Sequence, residues 1–378
     1  MPPTYHTDAT GAPPRGSFGP ITRFVDQYGL RRGRTEIYLR DVVPGYVIVK
    51  KFTTTGKFNE GIFLVERIEG RRAGQRCILK RIAFDRGQGR MSLREIEMLH
   101  VLKHPNIVRF IDGCIPRGPK GVAELYIEYC DRGNLQELLD RYINYNKEYN
   151  YEHHPYEYIP EAFLWDIFRS LASALAYLHF GVDPDDLDNP PAIDEQWPYI
   201  LHRDIKPNNI LLKSVSSGRD SREQSRHRQS SSYPTVVLAD FGLCTQQHEN
   251  EYNPREDEDV AMGTFIWQGP EFPQHTTRGD VWTLGVIIMS LCNQLEDGPV
   301  PVKDAQDYCG RDGIRDIKIA GDYYSKPLRE MIRKCLRVDR KRRPLSHKLL
   351  GDIRETEEEV DPPYEPLPDW VFSKRQGG

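Results

Sequence analysis

The chain has 378 residues, of which 38% are hydrophobic and 29% are charged, and its net charge at pH 7 is −4. This is the composition of a globular protein with enough apolar residues for one large domain or two smaller ones. Basic and acidic residues are nearly balanced, which gives no electrostatic footprint for nucleic acid or for an anionic membrane, so neither partner is expected.

The chain begins with a segment, residues 1–44, that is rich in proline, glycine and arginine, which predicts a flexible extension. From residue 45 to about 130, short β-type runs surround one helical pattern, which predicts a small antiparallel sheet lobe with one main helix. From 131 to 350, apolar residues recur at helical spacing and predict a larger, mostly helical lobe. The fold class is therefore α+β with two lobes, and residues 351–378 form a C-terminal tail.

Three polar insertions interrupt the predicted helical lobe, near 142–160, 181–198 and 214–233. The first is rich in tyrosine, which fits either a binding surface or aromatic packing of an irregular loop onto its own lobe. The second is acidic and proline-rich, as in a surface loop. The third is rich in serine and arginine, which fits either a modified or ligand-binding segment or a passive loop extension.

Seven cysteines are scattered along the chain without a C-x-x-C motif, so the sequence predicts free thiols in a reducing compartment. The longest apolar run, residues 281–292, is shorter than the ~20 residues that span a bilayer. The first residues lack the apolar stretch of a signal peptide. We therefore expect a cytoplasmic or nuclear protein.

Two polar stretches lie inside the helical lobe, LHRDIKPNNIL at 201–211 and LADFGLC at 238–244. Each adjoins a short apolar run, NILL in the first case and VVLA in the second. Pairing these runs as a hairpin brings Asn209 and Asp240 to the same edge. An amide oxygen and a carboxylate suit Mg²⁺ that is held partly by the protein and partly by substrate phosphates.

These stretches, with a strand lysine, a helix glutamate and the segment GTFIWQGPEF at 263–272, resemble the eukaryotic protein kinase family from about residue 46 to 350. The resemblance implies the two-lobed protein kinase fold and transfer of the γ-phosphate of ATP, with Mg²⁺, to protein substrates. Within the family, HPNIVRFID and EYCDRGNL are similar to the NIMA-related kinases. The substrate, the pathway and the oligomeric state are not indicated.

The resemblance implies the roles of the residues around the two stretches. Asp204 is the base that accepts or orients the proton of the attacking hydroxyl, and Lys206 neutralises charge on the transferred group. Asn209 and Asp240 hold the magnesium ion. In this family, Lys206 and a threonine at the position of Thr264 favour serine or threonine over tyrosine as the acceptor.

The strand lysine of the resemblance is Lys80, which is expected to contact the α- and β-phosphates and to pair with a glutamate of the following helix. Glu95 and Glu97 compete for that pairing. The family places the pairing glutamate nine residues before the histidine of HPNIV, which favours Glu95. Two positions along a helix turn Glu97 by ~200° from that direction.

The hinge between the lobes is identified with LYIEYCDRGNL. Ile127 takes the gatekeeper position, and the backbone groups of Glu128 and Cys130 are expected to bond the adenine. Ile78, two residues before the strand lysine, replaces the alanine that lies against adenine in the family, which adds bulk. We hypothesise that Gly61, on the opposing strand, returns part of that volume.

The glycine-rich loop departs from the family pattern G-x-G-x-x-G-x-V. In TTTGKFNEGIFLV, Gly56 keeps its glycine, while Thr54 and Asn59 take the two outer glycine positions. Glycines let backbone N–H groups approach phosphate, so these replacements favour weaker ATP binding. The alternative function is therefore a pseudokinase that acts as a scaffold or interaction module. Small-molecule phosphotransfer is disfavoured by the GTFIWQGPEF segment.

Other residues of the resemblance support the lobe. Glu271 is expected to pair with Arg343, and Asp280 to cap the loop that carries Asp204, so their loss should unfold the lobe rather than abolish one catalytic step. In the activation segment, Arg203 is expected to meet a carboxylate of the acidic run at 256–259 in place of a phosphate. A solvated acidic loop is the open alternative.

Overall fold

The computed structural model of the chain describes residues 45–52, 59–85, 91–116, 120–149, 155–215, 233–247, 263–295 and 323–372. The predicted extension, Gly56 and the acidic run at 256–259 lie outside these ranges. Among the helices within these ranges, none combines the length and the apolarity that crossing a bilayer requires.

The N-terminal lobe is an antiparallel sheet in the order β1-β2-β3-β5-β4, with one helix, α1 (Met91–Val101), beside it. The strands are β1 (Tyr46–Phe52), β2 (Asn59–Arg67), β3 (Arg76–Asp85), β4 (Phe110–Cys114) and β5 (Lys120–Glu128). This arrangement is the sheet lobe that the sequence predicted, and the α+β fold class is confirmed.

Strand β3 carries a lysine into the interior because its two faces differ. Alternate side chains of a strand point to opposite faces. Cys77 and Leu79 pack into a small outer core, whereas Ile78 and Ile82 face the main core. Lys80 lies on the same face as Ile78 and Ile82, and its side chain is only 15% exposed.

The second lobe is built around α3 (Glu161–Phe180), which is buried on nearly every side. The other helices described in this lobe are α2 (Leu135–Glu148), α4 (Thr277–Asn293), α5 (Lys326–Cys335) and α6 (Ser346–Val360). Helices α4 and α6 pack on α3. The sequence predicted all of these helices except α6.

Two short strand pairs lie between the lobes and frame the polar stretches. β7 (Ile210–Lys213) pairs with β8 (Thr235–Leu238), with Ile210 opposite Leu238, so the predicted hairpin is confirmed. β6 (Tyr199–Leu201) pairs with β9 (Thr245–Gln247), and the sequence did not predict this pair. Together they hold residues 202–209 and 239–244 side by side.

The insertions differ in how far the structure describes them. Helix α2 ends at Glu148, inside the first insertion, so Tyr142 and Tyr145 are helical rather than irregular. The second insertion has no helix or strand in its described residues, and it contacts α6 where the side chain of Arg354 donates to the carbonyl of Asp186 at 2.6 Å. The third lies outside the described residues between 216 and 232.

The C-terminal segment lies against the helical lobe. Helix α6 extends past residue 350, where the sequence predicted the tail to begin, and residues 361–372 then run back along the lobe. The hydroxyl of Tyr233, at the end of the third insertion, donates to the carbonyl of Glu365 at 2.5 Å. The segment therefore also holds the start of β8.

The end of this segment docks on α2. The ring of Trp370 stacks on Tyr145, with 4.3 Å between ring centroids and 4° between ring planes. Val371 is fully buried, and its carbonyl accepts a hydrogen bond from the guanidinium of Arg141. These contacts make residues 370–371 part of the folded lobe.

The cysteines in the described ranges are buried and form no disulfide bond. They are Cys77, Cys114, Cys130, Cys244, Cys292 and Cys335, whereas Cys309 lies outside those ranges. The prediction that the cysteines form no disulfide bonds is confirmed for these six. Burial raises the pKa of Cys77 to about 11 and that of Cys130 to about 12, so these thiols stay protonated at neutral pH.

We expect Trp370→Ala to lower the free energy of unfolding by about 2 kcal/mol, because it removes the stacking on Tyr145 and exposes apolar surface of α2. Urea unfolding followed by circular dichroism measures this change. Leu187→Ala is the control, since Leu187 lies in the second insertion with 55% of its surface exposed. Equal unfolding midpoints for the two variants would contradict docking of the tail.

Candidate active site

Lys80 connects three elements of the fold. Its Nζ lies 2.6 Å from Oε2 of Glu95 on α1 and 3.1 Å from Oδ1 of Asp240, which follows β8. Glu95 is 4% exposed. Of the two glutamates that competed for this pairing, the structure places Glu95 on the lysine.

The charges of this cluster depend on one another. Burial alone would lower the pKa of Lys80, but the carboxylates of Glu95 and Asp240 outweigh burial and raise it above its ordinary value. Burial would raise the pKa of Asp240, and Lys80 reverses this effect, so the pKa lies below its ordinary value. At neutral pH the site therefore holds an ammonium group beside an ionised Asp240, whose side chain is 44% exposed.

Asp204 is held in one orientation by donors on both carboxylate oxygens. Its Oδ1 accepts from the hydroxyl of Thr264 at 2.8 Å and from the backbone N–H of that residue at 3.1 Å. Its Oδ2 accepts from Lys206 Nζ at 2.8 Å and from Asn209 Nδ2 at 3.1 Å. Lys206 also donates to the Thr264 hydroxyl at 2.9 Å, which closes the network. A carboxylate placed in this way presents a fixed acceptor.

Asp280 of α4 bonds the backbone of the two residues before Asp204. The two oxygens of Asp280 accept the backbone N–H of His202 at 2.9 Å and of Arg203 at 3.3 Å. Arg203 has φ +68°, a left-handed conformation that costs free energy for a residue with a side chain. The side chain of Arg203 is buried and donates from Nε to the carbonyl of Leu243 at 2.6 Å.

Asn209 and Asp240 lie side by side, as the hairpin predicts. The N–H of Ala239 donates to the carbonyl of Asn209 at 2.8 Å. No group of three or more His, Cys, Asp or Glu side chains in the described ranges is placed to hold a metal ion. One exposed carboxylate and one amide do not form a complete cage, but they fit a Mg²⁺ ion that takes its other ligands from phosphates and water.

The hinge residues lie at the end of β5. Ile127 is buried and lies opposite Ile78 of β3. The side chain of Glu128 accepts from Lys213 Nζ at 2.8 Å and from the backbone N–H of Arg109 at 3.0 Å. Because Lys213 belongs to β7, this ion pair connects the hinge to that strand. The sequence did not indicate the pair, since its two residues are far apart in the chain.

The hypothesis that Gly61 offsets the bulk of Ile78 is wrong. The pairing of β2 with β3 shifts by one residue before Gly61, so Gly61 lies opposite Arg81 and Leu64 lies opposite Ile78. Residues opposite each other share a face of the sheet, and Gly61 is therefore on the other face from Ile78. A Cβ at Gly61 would meet the ring of Phe63 at 2.5 Å, so its missing side chain makes room for that ring.

A buried ion pair supports the helical lobe beneath the site. The guanidinium of Arg343 donates through two nitrogens to the two carboxylate oxygens of Glu271, one of them at 2.7 Å. Arg343 is 1% exposed, and its guanidinium also lies over the ring of Trp282. This is the pairing that the sequence predicted between the GTFIWQGPEF segment and the region before α6.

Comparison with known proteins shows the following similarities. The model of the family described as "Protein kinase domain" matches residues 56–352. The chain is 29% identical to the G2-specific protein kinase nim-1 of Neurospora crassa, over 80% of this chain and 33% of that protein. It is 30% identical to the G2-specific protein kinase fin1 of Schizosaccharomyces pombe, over 69% of this chain and 32% of that protein.

A more distant similarity is to the human dual specificity testis-specific protein kinase 2, at 24% identity over 86% of this chain and 49% of that protein. The first two relatives, and nimA of Emericella nidulans at 29% identity, confirm the resemblance to NIMA-related kinases. The match spans about a third of the length of these three relatives.

We expect Arg343→Met to lower the free energy of unfolding by roughly 3–5 kcal/mol, because it leaves the carboxylate of Glu271 without its buried partner. Urea denaturation is the measurement, and adding Glu271→Gln to the variant should recover part of the loss. Lys326→Met is the control, since Lys326 and Glu330 lie 3.7 Å apart with 77% and 55% of their side chains exposed. Similar losses in the two single variants would contradict the assignment.

Proposed function

The chain belongs to the protein kinase family, and from this premise we propose that it transfers the γ-phosphate of MgATP to serine and threonine hydroxyls of proteins. The observation that carries the proposal is the contact of Lys80 with both Glu95 and Asp240. It joins the sheet lobe, its helix and the turn after β8 at one ammonium group. The family uses this cluster to hold phosphates and metal.

Asp204 orients the attacking hydroxyl in this proposal. Each oxygen of its carboxylate is fixed by donors from Lys206, Asn209 and Thr264, so the carboxylate pays no reorientation cost during the reaction. A serine or threonine hydroxyl donates its hydrogen bond to Asp204 and presents its oxygen to the phosphorus. The proton passes to the carboxylate as the new P–O bond forms, and the bond from the γ-phosphorus to the oxygen that bridges it to the β-phosphate breaks, so that ADP leaves.

Lys206 and Thr264 support the choice of acceptor. The ammonium group of Lys206 lies between the carboxylate of Asp204 and the hydroxyl of Thr264. In this proposal the transferred phosphoryl group passes beside it. The ammonium group therefore offsets the negative charge on the phosphoryl oxygens. The same contact supports serine and threonine as acceptors, because in this family a lysine and a threonine at these positions favour those acceptors over tyrosine.

Lys80, Asn209 and Asp240 bind the nucleotide side of the reaction. Lys80 donates to the α- and β-phosphates while Glu95 fixes its direction. Asn209 and Asp240 would hold magnesium, which would offset the negative charge of the phosphates. The backbone groups of Glu128 and Cys130 bond the adenine, and Ile78 packs against its ring. The family resemblance also assigns Gly56, which lies outside the described residues, to nucleotide binding.

We expect Asp204→Asn to lower phosphate transfer from MgATP to a mixture of basic proteins by more than about 10²-fold, because asparagine cannot accept the proton. Binding of MgATP should remain, since Asp204 does not contact the nucleotide in this proposal. Lys80→Met should lower both transfer and binding. The readouts are incorporation of labelled phosphate and the thermal shift caused by MgATP.

The control is Lys103→Met, because Lys103 has an exposed side chain away from the site and should keep full activity. Phosphoamino-acid analysis should find phosphoserine and phosphothreonine. Absence of transfer and of a thermal shift in the unmodified chain would overturn the proposal and favour a pseudokinase. Transfer that survives in Asp204→Asn would overturn the role of that residue.

A further inference from the structure

Three helices of the second lobe meet at a buried chain of hydrogen bonds. Ser346, the first residue of α6, has its Oγ 2.9 Å from Nδ1 of His179 near the end of α3. Nε2 of the same ring lies 3.1 Å from Oδ2 of Asp280 in the first turn of α4. Ser346 and His179 have no exposed surface, and Asp280 is 5% exposed.

We propose that Ser346 is a positioning residue for the loop that carries Asp204, acting through His179 and Asp280. The role rests on the proposed kinase function, because it concerns the placement of the base of that reaction. Ser346 touches neither substrate nor reacting atoms, and its influence reaches Asp204 only through the two intervening side chains.

The serine hydroxyl is directed to His179 rather than used as a helix cap. Serine at a helix start commonly accepts a backbone N–H of its own first turn. In α6 the cap position belongs to Leu345, which has no side-chain cap hydrogen bond. The hydroxyl of Ser346 instead lies 2.9 Å from His179 and 3.2 Å from the carbonyl of Leu175, both on α3.

The chemistry of the chain fixes which atoms carry protons. The pKa of Asp280 lies below its ordinary value, because hydrogen bonds from His179 and from the backbone outweigh the effect of burial. An ionised carboxylate only accepts, so Nε2 of His179 must carry a hydrogen. A neutral ring then accepts the Ser346 proton at Nδ1, and a charged ring donates from Nδ1 to Ser346, which donates to Leu175. Alanine at 346 can serve neither state.

Loss of the Ser346 hydroxyl should change the placement of Asp204, because Asp280 bonds the backbone of the two residues before it. Without Ser346, Nδ1 is a buried polar atom with no partner, and the ring is free to tilt away from Asp280 toward another partner. Asp280 then holds the N–H groups of His202 and Arg203 less firmly. Arg203 keeps its left-handed backbone only while the surrounding contacts fix it, and Asp204 is the next residue.

The experiment compares Ser346→Ala with Ser290→Ala. Ser290 is the matched control, since it is also fully buried, lies on the same helix as Asp280 and donates to the carbonyl of Val286 at 2.8 Å within that helix. We expect Ser346→Ala to lower kcat about tenfold and to leave KM for ATP within about twofold. Hydrogen exchange at the amides of His202 and Arg203 should become faster. Ser290→Ala should show neither effect.

A second arm tests the route through the ring. In a His179→Gln background, Ser346→Ala should change neither kcat nor the exchange of those amides further, because the connection is already broken. Additive losses would overturn the proposed route. A Ser346→Ala variant that matches Ser290→Ala in kcat and in exchange would overturn the proposal itself.

The two proposals fail in different ways. An unmodified chain that transfers no phosphate overturns the proposed function, and the amide exchange of the free protein then still decides whether Ser346 holds the loop. Faster exchange at His202 and Arg203 in Ser346→Ala supports positioning, and unchanged exchange overturns it. An active chain with no difference between the serine variants overturns the inference alone.

Discussion

The ammonium group of Lys80 is the constraint on which the arrangement of the two lobes depends. It is brought into the interior by the inner face of β3, where its charge would be unfavourable without partners. The carboxylates of Glu95 and Asp240 supply them from α1 and from the turn after β8. Because these groups belong to separate elements, satisfying one buried cation also fixes the helix against the sheet and the sheet against the second lobe.

Contacts from separate elements also hold the backbone around Asp204 and Asp240. The segment around Asp204 contains a left-handed Arg203, and Asp240 also has a positive φ, of 64°. Neither residue is a glycine, so both conformations must be maintained by surrounding bonds. For the first, Asp280 accepts the backbone N–H of Arg203 at 3.3 Å, and the side-chain amide of Gln268 donates to its carbonyl at 2.7 Å. Rigid helices thus hold a strained loop that presents the acceptor.

The sequence predicted the five-stranded sheet and most helices, because their apolar residues recur with a clear period. It also predicted the pairing of Lys80 with Glu95, because the distance of Glu95 from the histidine of HPNIV is distinctive. Strands β6 and β9 are three residues long, too short for a period to show. In helix α6 the buried apolar side chains are Leu349, Leu350 and Ile353, and mostly acidic residues follow them. The sequence therefore shows no long apolar period there. The misassigned partner of Ile78 arose because one shift in strand register moves a residue to the opposite face.

The supports of the loop that carries Asp204 come late in the chain. His179 and Ser346 are separated by 167 positions, and Arg141 contacts Val371 across 230 positions. A protein is synthesised from its N-terminus, and contacts between distant positions form only after both have emerged. The residues around Asp204 are therefore present on the ribosome long before α6 exists to complete the contact at His179. A chain released before that point would contain every residue of the site and still lack the contact of Ser346 with His179.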